Sequence, residues 1–214
     1  MSTPTADIID LLAGIAANDL LAAVRDQRAQ ARENAQRSFE ALLEPAAPGT
    51  FALAERYAVA SFVSQLHGFA EATAFYGDLL GDEAPALIAV VADAATDAAA
   101  TGPFGAYREP NLQDESTDGV RWAADAGTAA ALGPRLSAAL AHTHLLVFRP
   151  REARAEALQD LVDAGWSPDD IVSLSQLVAF LSFQLRVAWG LRVLAAASAP
   201  LATSAASATV PEGA

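Results

Sequence analysis

The chain has 214 residues, enough for a sizeable core, and 53% of them are hydrophobic against 18% charged, which excludes an intrinsically disordered protein. The formal net charge is −13 and all 13 basic residues are arginine. Arg25, Arg28, Arg32 and Arg37 share one stretch with Asp26, Glu33 and Glu40, an ion-paired face that argues against a nucleic-acid partner. Cysteine is absent, so disulfides, thiolate metal sites and cysteine redox chemistry are impossible within the chain.

Alanine is abundant and β-branched residues are scattered singly, which predicts an all-helical protein of about seven to eight helices. A short helix is expected over 7–17, and a longer one from an Asn18 cap to Leu43, ended by Pro45 and the Pro48-Gly49 pair. Thr50 is placed to cap a third helix, with Leu53, Val59, Phe62 and Leu66 at helical spacing as far as His67. Gly68 allows a bend. The pattern resumes over 69–80, breaks at Gly81 and returns from Pro85 to about Ala100. Residues 102–127 hold several glycines and prolines and read as a long irregular connection between two helical halves, and as the place for a lid.

Pro134 then opens a helix to Phe148, closed by Pro150, and a shorter one covers 153–164. Ser167, Pro168, Asp169 and Asp170 combine a capping hydroxyl, a preset proline and two acids at the positive dipole end, a strong helix start. The helix that follows, from Ile171 to about Ala197, is apolar, but its uncharged stretch of 15 residues ends at Arg186, so it reads as a long buried central helix rather than a membrane span. The expectation is a single domain over 1–200, a disordered tail over 201–214, no secretory signal and hence a cytoplasmic, soluble protein.

Phosphate loops, dinucleotide fingerprints and zinc motifs are missing from the sequence, so no cofactor and no metal are expected. Two constellations stand out. The first is Glu55 with Tyr57, Gln65, His67 and Glu71, on the helix pair either side of Gly68. A carboxylate and an imidazole in an apolar setting suit a proton relay, with Glu55 as general base, His67 as its acid–base partner, and Tyr57 or Gln65 as orienting groups. On a straight helix, twelve residues leave Glu55 and His67 roughly 120° apart. The other reading of these residues is an acid favoured in the first turn and a histidine at a helix end. The second constellation is His142 and His144 with Arg149, Arg151 and Arg186. Histidines at i and i+2 are poor metal ligands, while Arg186, between apolar neighbours, must reach solvent, bind an anion or pair with an acid such as Glu55.

The stretches RENAQRSFEALLEP, AERYAVASFVSQLHGFAEATAFY and LVDAGWSPDDIVSLSQLVAFLSFQLRVAWGLRVL resemble the AhpD-like superfamily of alkylhydroperoxidase-like and carboxymuconolactone decarboxylase-like proteins, over roughly residues 30–197. The resemblance implies an all-α fold and homo-oligomers. In thiol-active members a glutamate precedes a CxxC pair by twelve residues and a histidine follows it by four. That pattern puts Glu55 at the acid, His67 and Ala70 at the cysteines and Ala74 at the histidine. The resemblance therefore implies a protein that has lost thiol peroxidase chemistry and keeps Glu55 and His67 for acid–base work on a small molecule. The alternative is a non-catalytic protein that binds a small ligand or partners a thiol-active relative.

Overall fold

In the computed structural model, residues 7–16 and 19–206 are described, with the backbone alone for 198–206. All the described regular structure is helical. Nine α-helices, eight of them seven residues or longer, are joined by turns, two short 3-10 segments and an isolated bridge between Gly105 and Thr117. Residues 37–185 form one compact unit, while the described residues of 1–36 together with 186–206 form another.

In the second of these, α1 (Ile8–Ala13) is capped by the Asp7 side chain and stopped by Gly14. The single helix expected over 18–43 is two, α2 (Leu20–Asp26) and α3 (Ala29–Leu43), parted by a turn at Gln27–Arg28. Asn18 lies outside the described residues, and Asp19 stands at the N-cap. Arg25 and Arg32 converge on Asp7 and Asp10, and Arg32 also reaches Asp26 at 2.6 Å. The acids and arginines of the polar stretch are thus partly spent on tying α1 down.

The compact unit over 37–185 is built around α4 (Leu53–Leu66), where every residue from Arg56 to Ser64 is buried. Its small residues, Ala58, Ala60, Ser61 and Ser64, let α5 (Ala70–Glu83), α6 (Leu87–Asp97) and α7 (Ala126–Phe148) pack against it. Ala52, not Thr50, stands at the N-cap of α4, because the Thr50 hydroxyl donates to Asp170 at 2.7 Å. Gly68, with φ 64°, ends α4 in the left-handed conformation that glycine adopts without strain. Gly81 does not interrupt α5, which runs on to Glu83. A helical glycine costs only about 1 kcal/mol relative to alanine, and burial of Ala72, Tyr76 and Leu80 one turn apart outweighs it.

The connection after α6 is irregular from Ala99 to Asp125, apart from a 3-10 segment at Pro110–Glu115. α7 begins at Ala126, about two turns before the predicted Pro134, because Asp125 caps it by accepting from the Thr128 N–H at 2.8 Å. Pro134 still opens a helical run: Gly133 is non-helical at φ 76°, ψ 163°, and divides α7 there. α8 (Ala155–Asp163) follows, then α9 (Pro168–Ala206), whose start is capped by Ser167, its hydroxyl accepting from the Asp170 N–H. α9 buries one face, with Leu174, Leu177, Val178, Leu181 and Leu185, and exposes Val172 and Phe183 on the other. Its Pro168–Ala197 stretch is long and apolar enough to cross a membrane, and half of its most apolar window is buried inside the protein. The helix passes Pro200, so residues 201–206 are helical rather than a disordered tail, and 207–214 lie outside the described residues.

Candidate functional site

The residues of the first constellation do not converge. Glu55 sits at the third position of α4, and its carboxylate accepts from the Ala52 N–H at 3.1 Å, as an acid in a first turn does. His67 is the C-cap of the same unbroken helix, with its backbone N–H on Val63. Twelve residues of helix separate them by about 18 Å along the axis, too far for a shared proton. The partner of Glu55 is Arg135, whose Nε lies 2.7 Å from the carboxylate. Arg135 also donates to the carbonyls of Gly165 and Thr50 and stacks 4.1 Å over Trp166, so Glu55 belongs to a clamp joining the starts of α4 and α9 to α7. Arg186, considered for that pairing, is exposed on α9.

Tyr57 is buried, which pushes its phenol pKa up, so it stays a neutral side chain. Gln65 bends back to donate to the carbonyl and hydroxyl of Ser61. It borders a broad, open depression of about 620 Å³ with Gly68, Ala70, Thr73 and Ala74. That depression contains the two alanines that the resemblance sets at a cysteine and a histidine, and no titratable side chain is among its lining residues.

The second constellation does build a site. Ala138, Ala141, His142, Leu145 and Arg149 recur at helical spacing down one face of α7, and that stripe lines a cavity of about 260 Å³. Trp122 from the irregular connection, and Ala157 and Asp160 from α8, complete it. His144, although two residues from His142, also lines the cavity. Both histidines are nearly inaccessible, at 4% and 1% exposure. Burial lowers the pKa of His142. Burial likewise lowers that of His144, opposed by a bond to the Ala98 backbone and reinforced by the Arg149 charge. Both rings are therefore neutral at pH 7.

Each ring keeps one nitrogen without a protein hydrogen-bond partner: Nδ1 of His142 and Nε2 of His144. A buried polar atom in that state costs about 1–3 kcal/mol. Trp122 forms the aromatic wall. Its ring lies 5.3 Å from Phe62 and 6.2 Å from His144, and its indole N–H donates to Asp97 at 2.7 Å.

Arg149, 2% exposed, anchors the rim. Its guanidinium makes a two-pronged pair with Glu152 at 2.8 and 2.7 Å and donates to the Gly119 carbonyl at 2.7 Å. Glu152 accepts Arg121 as well, and the Arg149 hydrogen bonds first, then the two positive charges, pull its pKa down to about 2. This clasp fixes the connection that carries Trp122. Arg151 adds to it by stacking 3.9 Å over Tyr107. Sequence reasoning singled out the histidines and Arg149 but missed Trp122, Asp97 and Glu152. The signal for the cavity is the run of small residues at 138 and 141 on the same helical face as His142 and Leu145.

No metal-binding group of three or more His, Cys, Asp or Glu residues occurs among the described residues. In comparisons with known proteins, no family model matches the chain, and neither a characterised protein nor a solved structure is similar to it.

Proposed function

We propose that this chain is a cysteine-free helical protein of AhpD-like or carboxymuconolactone decarboxylase-like type that binds a small molecule in the α7 cavity and runs no thiol peroxidase cycle. The observation that carries this reading is the cavity itself: an apolar pocket with two buried, neutral imidazoles in its wall. The family part rests on the three sequence stretches and on an all-helical fold. The loss of peroxidase chemistry rests on the absence of any thiolate. Acid–base chemistry by Glu55 and His67 is disfavoured, since the two stand at opposite ends of α4.

In this reading the protein is soluble and cytoplasmic and works as a homo-oligomer, alongside a thiol-active relative if peroxide is involved. The apolar side chains Val172 and Phe183, 57% and 49% exposed on α9, favour self-association. The test is twofold. Purified full-length protein with cumene hydroperoxide and a thiol donor is expected to consume no peroxide, and sustained turnover overturns the loss of peroxidase chemistry. Small apolar molecules are expected to raise the melting temperature saturably in the native chain and not in Ala138→Phe, which fills the cavity. Equal shifts in both proteins place binding elsewhere and overturn the cavity reading.

A further inference from the structure

We propose that two copies of this chain meet along the exposed stripe of α9, antiparallel about a two-fold axis, with Phe183 of each copy stacked against Arg186 of the other. The inference rests on the homo-oligomer reading above, and it adds where the copies meet and in which register.

Periodicity comes first. From Val172 the exposed residues of α9 recur at alternating steps of four and three as far as Ala197, and between Ile171 and Ala188 no residue off that stripe is exposed. The helix is packed on its other sides, and what it leaves open is one seam wide, the width at which a second helix seats its knobs. Val172, Phe183 and Val193 stand in that seam at 57%, 49% and 54% exposure.

Charge says what the second helix belongs to. The chain carries −13, yet from Ile171 to Ala197 it has two arginines and no Asp or Glu. Two copies can therefore approach here without bringing acid against acid. Arg186, exposed in the seam, has no hydrogen bond or ion pair among the described residues.

The same charge fixes direction. Parallel copies would set Arg186 against Arg186, whereas antiparallel copies lay each cation over the Phe183 ring of the other. That register brings Ala179 opposite Gly190, Gln176 opposite Val193 and Val172 opposite Ala197. The smallest pair flanks the stack on each side and lets the backbones close up. It also accounts for Gly190. A glycine inside a helix weakens it, and nothing in its own chain requires this one, since its φ is not positive and a Cβ there would meet nothing within 4 Å. At about 1.5 Å per residue the seam is about 37 Å long. A single helix pair of that length is at the low end of specific interfaces, so the dimer is reversible, with a Kd on the order of micromolar.

Sedimentation velocity of the full-length protein at pH 7.5, from micromolar to millimolar concentration, is expected to show a monomer–dimer equilibrium that Gly190→Leu weakens at least tenfold. Because the chain lacks cysteine, crosslinking reads the register directly. Ala179→Cys and Gly190→Cys proteins, mixed and oxidised, are expected to form a disulfide-linked pair, with at least tenfold less from either alone, where the like cysteines stand eleven helical residues apart. Crosslinking as efficient within one single-site protein as in the mixture, or dimerisation unweakened in Gly190→Leu, overturns the register and leaves the homo-oligomer reading standing. A monomer at every concentration overturns both, whether or not it floats with phosphatidylcholine vesicles, which would give the stripe to a membrane. In wild-type protein, hydrogen exchange over residues 176–193 is expected to slow as concentration rises. Unchanged exchange there, alongside dimerisation, contradicts the proposal even if a variant fails to fold.

Discussion

Single side chains set the pH response of this protein. The folded pKa values of His142 and His144 lie below the ordinary 6.5, so the unfolded chain binds protons first as the pH falls. Their contribution to stability is complete above about 6.5 and is lost progressively below it. The melting temperature is expected to drop between pH 7.5 and pH 5.5, with a shallower drop in His142→Phe; a flat profile over that range would sink the neutral-histidine assignment. Glu152 behaves as a depressed acid. Its contribution is present above its ordinary 4.5 and disappears as the pH approaches about 2, so it plays no part in the neutral range. Glu152→Gln strips Arg149 of its two-pronged partner, and urea unfolding should register a loss of about 3 kcal/mol, the lower end for breaking a buried pair, because the partly buried acid retains some solvent. Glu55→Gln, by contrast, keeps an amide oxygen for the cap and removes one charge from a clamp in which Arg135 still holds two carbonyls. A loss of about 1 kcal/mol with unchanged ligand binding is expected, and a loss of binding would restore Glu55 to the functional site.

At the scale of the element, α7 shows how a proline–glycine pair divides a helix without ending it. Gly133 occupies φ 76°, ψ 163°, a region essentially closed to residues with a Cβ, although a Cβ placed there would touch nothing within 4 Å. Gly133→Ala therefore isolates backbone strain from steric clash. An expected loss of about 1–3 kcal/mol by chemical denaturation, with far-ultraviolet helicity preserved, is the signature; wild-type stability would mean that the two parts of α7 can fuse. The proline that creates this break was legible in the sequence, as was the Ser167-Pro168 start of α9, because both signals are local. The extension of α7 back to Ala126 was less legible, since it rests on an Asp125 cap inside a segment whose composition reads as loop. Gly81 misled for the opposite reason: burial of its neighbours on α5 overrides a local breaker.

For the whole molecule, a net charge of −13 with an isoelectric point near 4.4 opposes non-specific clustering at neutral pH, and that repulsion vanishes in mild acid. Light scattering is expected to rise to a maximum close to pH 4.4, and a maximum above pH 6 would show that local patches, not net charge, govern association. Helical class was readable from alanine abundance and apolar spacing alone. The site was not, because Glu55 and His67 look paired in a motif while a helix carries them apart, and because Trp122 meets His144 and Asp97 only through tertiary packing. The placement of the tryptophans has an optical consequence. Trp122 is enclosed beside the cavity with its indole tied to a carboxylate, Trp166 is buried against the Arg135 guanidinium, and Trp189 is 54% exposed. Emission from this chain is therefore a composite. Acrylamide is expected to extinguish the red-shifted Trp189 component first, and if the cavity takes a ligand as proposed, contact with the Trp122 ring dims the blue edge, an occupancy gauge that needs no attached dye.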